Sequence, residues 1–169
     1  MKPMSDITVS TLCFIDDGTI PNNPTVPVLI YHHVLGSHEH LEKTITSNQW
    51  GNTWTGGVFS YHHYHSNAHE TLLAIRGEAN LLIGGRKGST INVTAGDVLI
   101  LPAGTGHKLL NASHDFIVMG AYPNGQSFDI CTGDKNNRTQ DIMNIENVPL
   151  PETDPLWGDK AHYYCIGIK

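Results

Sequence analysis

The sequence predicts an all-β protein, a sandwich or barrel of short antiparallel strands. The first sign is a run of strand-like segments: "GVFSYHHYH", "ETLLAIRGEANLLIGG", "STINVTAGDVLILP", "GHKLLN" and "HDFIVMGAYP". They are rich in β-branched and aromatic residues. Gly, Asn, Pro or Asp interrupts them every ten residues or so, the rhythm of antiparallel strands joined by tight turns. The second sign is composition. The 169 residues include 17 Gly and 9 Pro and are 39% hydrophobic, which supplies many turns and a real core but few long helices. No internal repeat or low-complexity tract interrupts this pattern.

Taken in order, "TLCFIDDG" from Thr11 predicts a short strand closing in an Asp-Gly turn. A Pro/Asn turn follows, then a strand from about Val26, whose Pro27 places its start at a sheet edge. "GSHEHLEKTITSNQWG" predicts a short helix, with Leu41 and Ile45 four apart on one face. "IGGRKGST" predicts a hairpin turn. No Gly-Lys-Ser/Thr follows and no helix opens there, so it is not a phosphate-binding loop. Residues 1–56 are therefore expected to pack on the barrel and residues 57–123 to form it. Residues 124–169, loop-rich with three prolines in "VPLPETDPLWGD", are expected to lie over it as an arm, all within one structural domain.

The formal charge of −6 argues against nucleic acid as partner, because phosphate recognition wants a basic face. The N-terminal "MKPMSDITVS" has no apolar signal core, and no stretch of about 18 apolar residues suggests a membrane span. Cys13, Cys131 and Cys165 are odd in number, far apart and free of any CxxC pair. Zinc-finger and redox-motif functions fall, and a reduced, cytoplasmic protein is expected. Asn92, Asn111 and Asn137 match the glycosylation pattern, which has no meaning without secretion.

The 11 His outnumber the 10 Lys and Arg, and "SYHHYHSNAHETLLAIRG" crowds four of them beside a glutamate. On a strand, His63 and His65 share one face, about 6.5 Å apart, while His62 and Tyr64 share the other. If "SNAH" is a four-residue loop to a second strand, Glu70 faces His65 across the pair, with Cβ atoms roughly 5 Å apart. Two neutral imidazoles and a carboxylate suit Fe, Mn, Ni, Co or Zn as one divalent ion. A fourth ligand would come from His107, which opens a strand after a Gly-rich turn. Strand parity directs His62 and His69 away from the cluster. His32, His33, His38, His40, His114 and His162 are expected to be exposed or satisfied histidines. Tyr61 shares the parity of His63 and is either a proton donor toward the cavity or a core aromatic. Arg76 has the parity of Glu70 and lies at the rim, as a carboxylate clamp or a solvated side chain.

The full spacing resembles the cupin family. Its first motif, G(X)5HXH(X)3–4E(X)6G, is matched by Gly57, His63, His65, Glu70 and Gly77. Its second, G(X)5PXG(X)2H(X)3N, is matched by Gly96, Pro102, Gly104, His107 and Asn111, so every specified position is filled. The resemblance implies a double-stranded β-helix, or jelly-roll barrel, with a metal on His63, His65, Glu70 and His107. It further implies a homodimer, with the N-terminal strand exchanged between subunits. "GTIPNN", "WGNTW", "PAGTGHK" and "GAYPNG" resemble a subfamily of small bacterial cupins with no assigned reaction.

Through the resemblance, the expected chemistry is that of a metal-dependent oxygenase or isomerase on a small, oxygen-rich metabolite held in the barrel, with Glu70 and Tyr61 as its catalytic groups. The alternatives are a metal-dependent binding protein without turnover and a barrel stapled by a structural ion. Glu70 argues against a thiol dioxygenase, whose similar motif lacks that carboxylate. No GxSxG and no Cys in the cluster leave covalent catalysis without a nucleophile. No helix-turn-helix pattern supports a sugar-sensing regulator.

Overall fold

The computed structural model describes residues 1–36, 40–159 and 163. His38, His162 and Cys165 lie outside the described residues. A 3-10 turn at Met4–Asp6 leads into β1 (Thr8–Leu12), β2 (Val28–His32), α1 (Leu41–Ser47) and β3 (Trp50–Gly56). Then follow β4 (Glu70–Arg76), β5 (Glu78–Ile83), β6 (Ser89–Thr94), β7 (Val98–Leu101), β8 (His107–Ala112), β9 (Ile117–Pro123) and α2 (Arg138–Asn147). Every strand pairing is antiparallel. One sheet runs β1-β2-β7-β4-β9-β3 and the other β6-β5-β8, and the two do not close into one continuous ring. The fold is an antiparallel double-stranded β-helix carrying two short helices.

Sheet layering explains why the central strands do not alternate in polarity. In β4, Leu72 and Ala74 face the interior between the sheets, while Leu73 packs on the opposite side. That opposite side is itself covered by Leu41 and Ile45 of α1 and by Leu156 and Tyr163. β7 is split the same way, Leu99 and Leu101 inward, Val98 and Ile100 outward. A strand buried on both faces reads as a continuous apolar run. Leu41 and Ile45 are both buried, as their helical spacing predicts; burying each such side chain contributes about 2 kcal/mol.

Several boundaries differ from expectation. The first strand starts at Thr8, three residues early, because Thr8–Leu12 finds a full antiparallel partner in β2. β2 is not an edge strand: β1 and β7 flank it, and Pro27 only precedes it, where its missing N–H costs no ladder bond. The segment 57–65 is not a regular strand. It is held by single bridging pairs, His63 to His107 and Tyr64 to Cys131. It forms no hairpin with β4, whose neighbours are β7 and β9. The C-terminal arm contains α2, whose weak apolar pattern gave no helical signal; its buried residues are Asp141 and Ile145. Among the described residues, no helix is long and apolar enough to cross a membrane.

Candidate metal centre

Glu70 is the first residue of β4, paired with Leu101 of β7, and its side chain enters the space between the sheets. His107 opens β8, paired with Ile83 of β5 in the other sheet. His65 ends the irregular 57–65 segment. Its Nε2 stands 3.1 Å from Glu70 Oε2, and His107 Nε2 stands 3.3 Å from the same oxygen. All three side chains are buried, with ligand atoms within 4.8 Å of one another. His63 lies against His107, ring centroids 4.0 Å apart, and lines the same cavity without joining that tight trio.

The hydrogen bonds of the rings decide what they offer. His63 Nδ1 donates to Tyr61 O at 3.0 Å and His107 Nδ1 to Thr105 O at 3.0 Å. His65 Nδ1 donates to Asp129 O. A carbonyl only accepts, so each Nδ1 carries the hydrogen, and a neutral ring then presents a bare lone pair at Nε2. Two such lone pairs aimed at one carboxylate oxygen repel unless a proton or a cation lies between them. This donor set fits a divalent transition metal, with second-partner bonds fixing each tautomer as metal-binding histidines require.

When no cation is bound, a proton at Nε2 takes its place and lets the rings hydrogen-bond Glu70. Burial would raise the Glu70 carboxyl, but the hydrogen bonds of His107 and His65 outweigh it and hold it well below the usual carboxylate range. Burial would lower His65, but its bond to Glu70 outweighs it and shifts it upward. Burial, then repulsion from His107, brings His63 down to about 4.

Tyr61 is 46% exposed. Its ring stacks on Phe59, and it does not line the cavity. The phenol that does is Tyr122 of β9, which donates to Glu70 Oε1 at 2.9 Å and accepts from Trp54 Nε1 at 2.8 Å. Trp54 lies flat over its register partner Gly120, where a Cβ would collide with the indole. Both aromatics stand in the segments "WGNTW" and "GAYPNG", and a glycine opposite a tryptophan was the available signal. Burial, then the charge of Glu70, raises the Tyr122 phenol. Arg76 closes β4 on the solvent side. His69 is buried and structural: Nδ1 accepts from Ala103 N at 2.9 Å, and Nε2 donates to Pro149 O at 2.9 Å.

The C-terminal arm builds the back of the site. Tyr64, between the two motif histidines, points away from the cavity and donates to Asp141 Oδ2 of α2 at 2.7 Å. Asp129 accepts from Ser66 N at 2.7 Å and from Ser66 Oγ. A cavity of about 270 Å³ opens above the trio.

A two-sheet antiparallel barrel with imidazoles and a carboxylate gathered at its cavity floor defines a small barrel protein with a candidate cation site. The chain belongs to the cupin family: the family's cupin-domain profile matches residues 52–119. It is 44% identical over 159 residues to the uncharacterized protein YjlB of Bacillus subtilis (strain 168), covering 94% of this chain and 96% of that one. Among solved structures it is similar to an uncharacterized conserved protein with a double-stranded beta-helix domain from Klebsiella pneumoniae. The identity there is 17%, over 78% of this chain and 89% of that one, with TM-score 0.38. It is also similar to a variant of the oxalate decarboxylase of Bacillus subtilis, at 21% identity and TM-score 0.37. That match covers 64% of this chain but only 24% of the decarboxylase, so the chain spans about a quarter of its length. Resemblances this distant carry nothing about the reaction.

Proposed function

We propose that this cupin is a metal-dependent enzyme, an oxygenase or an isomerase, working on a small molecule that enters the barrel. The single observation behind this is the convergence of His65 Nε2 and His107 Nε2 on Glu70 Oε2 at the floor of an open cavity. A purely structural ion would be closed off by protein ligands, whereas open space beside the trio leaves room for substrate. His65, Glu70 and His107 would hold the ion, with His63, from the same segment as His65, as a fourth ligand. The ion would supply Lewis-acid polarisation of a substrate oxygen or redox chemistry with O2.

The chain's own residues orient and insulate. Backbone carbonyls fix the three rings, and Tyr122 engages Glu70 Oε1 so that Oε2 faces the site. The apolar wall keeps bulk water back. Among the described residues lining the cavity, the titratable groups are His63, His65, Glu70, His107 and Tyr122. With four of these assigned to the ion and the Tyr122 proton already donated to Glu70, no separate acid or base remains. That observation also favours the second reading, a metal-dependent binding protein without turnover.

Elemental analysis of protein purified without an affinity tag or added metal tests the proposal, with and without air. Near-stoichiometric Fe, Mn, Ni, Co or Zn is expected, and His65→Ala should lower its affinity at least a hundredfold. Full metal content in His65→Ala would sink the ligand assignment. Iron seen chiefly without air would direct the screen to oxygen uptake.

A further inference from the structure

The cavity wall restricts what can bind far more than the ligand trio does. Above the polar floor it is built of Trp54, Val58, Phe59, Leu72, Phe128 and Ile130. Among the described residues, no Lys or Arg lines it. A phosphate or a multiply charged acid would find no side-chain cation along the wall, and only the ion proposed at the floor would offset its lost hydration.

The polar atoms of the aromatic wall are also already used. Trp54 Nε1–H donates to Tyr122 OH, and that hydroxyl donates to Glu70 Oε1. Tyr122 and Phe128 stack face to face, centroids 4.3 Å apart at 19°, so the layered pair presents an apolar aromatic panel one ring wide. A sugar or polyol needs hydrogen-bond partners around its whole rim, and the Trp54 and Tyr122 side chains are already engaged with each other and with Glu70. A flat apolar ring needs only the panel, and gains area burial and aromatic contact from it. At about 270 Å³ the cavity falls just below the roughly 300–1,000 Å³ of drug-sized pockets, which suits a single ring and not a fused polycycle.

We infer that the ligand is a compact planar molecule, apolar over most of its surface, with a pair of oxygens on one edge: a substituted catechol, an enol or a 1,3-diketone, and not a sugar or a phosphate ester. The oxygen edge rests on the metal site proposed above; the apolar body rests on the wall alone.

Calorimetric titration with three probes separates the two. They are 4-nitrocatechol (planar, oxygen edge), nitrobenzene (planar, no chelating pair) and myo-inositol (oxygens all round). Chelator-treated protein is expected to bind both aromatics and not the polyol. Metal-reconstituted protein should bind 4-nitrocatechol at least tenfold more tightly and nitrobenzene unchanged. Ile130→Glu, at a half-exposed rim position, should weaken both aromatics at least tenfold. Binding of myo-inositol as tight as that of the aromatics, no aromatic binding, or indifference to Ile130→Glu would overturn the inference. Aromatic binding without any gain for 4-nitrocatechol on metal loading would leave the apolar body standing, overturn the oxygen edge and count against the metal reading itself.

Discussion

His107 and His65 reach the same carboxylate oxygen by opposite means. His107 sits at the start of a regular strand, and its ring is fixed by Thr105 O, two residues away. His65 sits on an irregular segment, and its ring is fixed by Asp129 O, 64 residues away. The loop before His107 is tied by Asn22, which accepts from Gly106 N at 3.0 Å, and by Asn23, which donates to Ala103 O at 3.0 Å. The loop after His65 is tied by Asp129 and, through Asn144 to Ser66 Oγ at 3.0 Å, by α2. One histidine is thus held by local geometry and the N-terminal segment, the other by the C-terminal arm. A motif can be local in sequence while its rigidity is not.

Breaking the distant support should show the largest effect on metal binding. Asp129→Ala strips acceptors from Ser66 N and Oγ and loosens the chain that fixes His65. Destabilisation of about 2–3 kcal/mol in urea unfolding is expected, with a ten- to hundredfold loss of metal affinity. If affinity for zinc in a competition assay is unchanged, the arm is mere covering and the contrast between the two histidines collapses.

Acidification acts on the other side. His69, which supports Ala103 ahead of His107, is brought down by burial to about 4. The ordinary value of about 6.5 applies in the unfolded chain, so folding favours the neutral ring. Its contribution is complete above about pH 6.5 and is lost as pH falls from there toward 4, by roughly 3 kcal/mol in all. Urea midpoints of metal-free protein from pH 7.5 to 4.5 should follow that window. His63 titrates over the same window, so His69→Asn should make the curve shallower without flattening it; an equally steep curve in the variant would remove His69 from the account.

The smallest effect is expected at Glu70. Tyr122→Phe leaves Oε1 and Trp54 Nε1 without their shared partner, at about 1–2 kcal/mol of stability. Metal affinity should fall about tenfold while 4-nitrocatechol still binds, since the aromatic panel is retained. A fall as large as that of Asp129→Ala would show that the local and distant supports are not graded.

Much of this was legible beforehand. Strands β4 to β9 lie where alternation, apolar runs and turn residues put them, because those signals come from the chain's own neighbours. Segment 57–65 and the arm were not legible. "SYHHYH" alternates like a strand, yet β9 takes the place beside β4 that a hairpin would have used. α2 lacked an apolar stripe because it buries Asp141 against the Tyr64 hydroxyl, a polar contact no periodicity reveals. Tyr122 and Trp54 were visible only as parts of segments, with nothing to say that their polar atoms would meet.

The sequence by itself determined the antiparallel strand set and the residue types placed to hold a metal, because fixed offsets along a chain translate directly into faces and turns. The tertiary structure alone decided which tyrosine touches Glu70, how far His63 stands from the trio, and that the cavity above them is apolar. Those depend on which strands become neighbours and which distant carbonyls accept from each ring, and contacts between residues far apart in the chain leave no local signature.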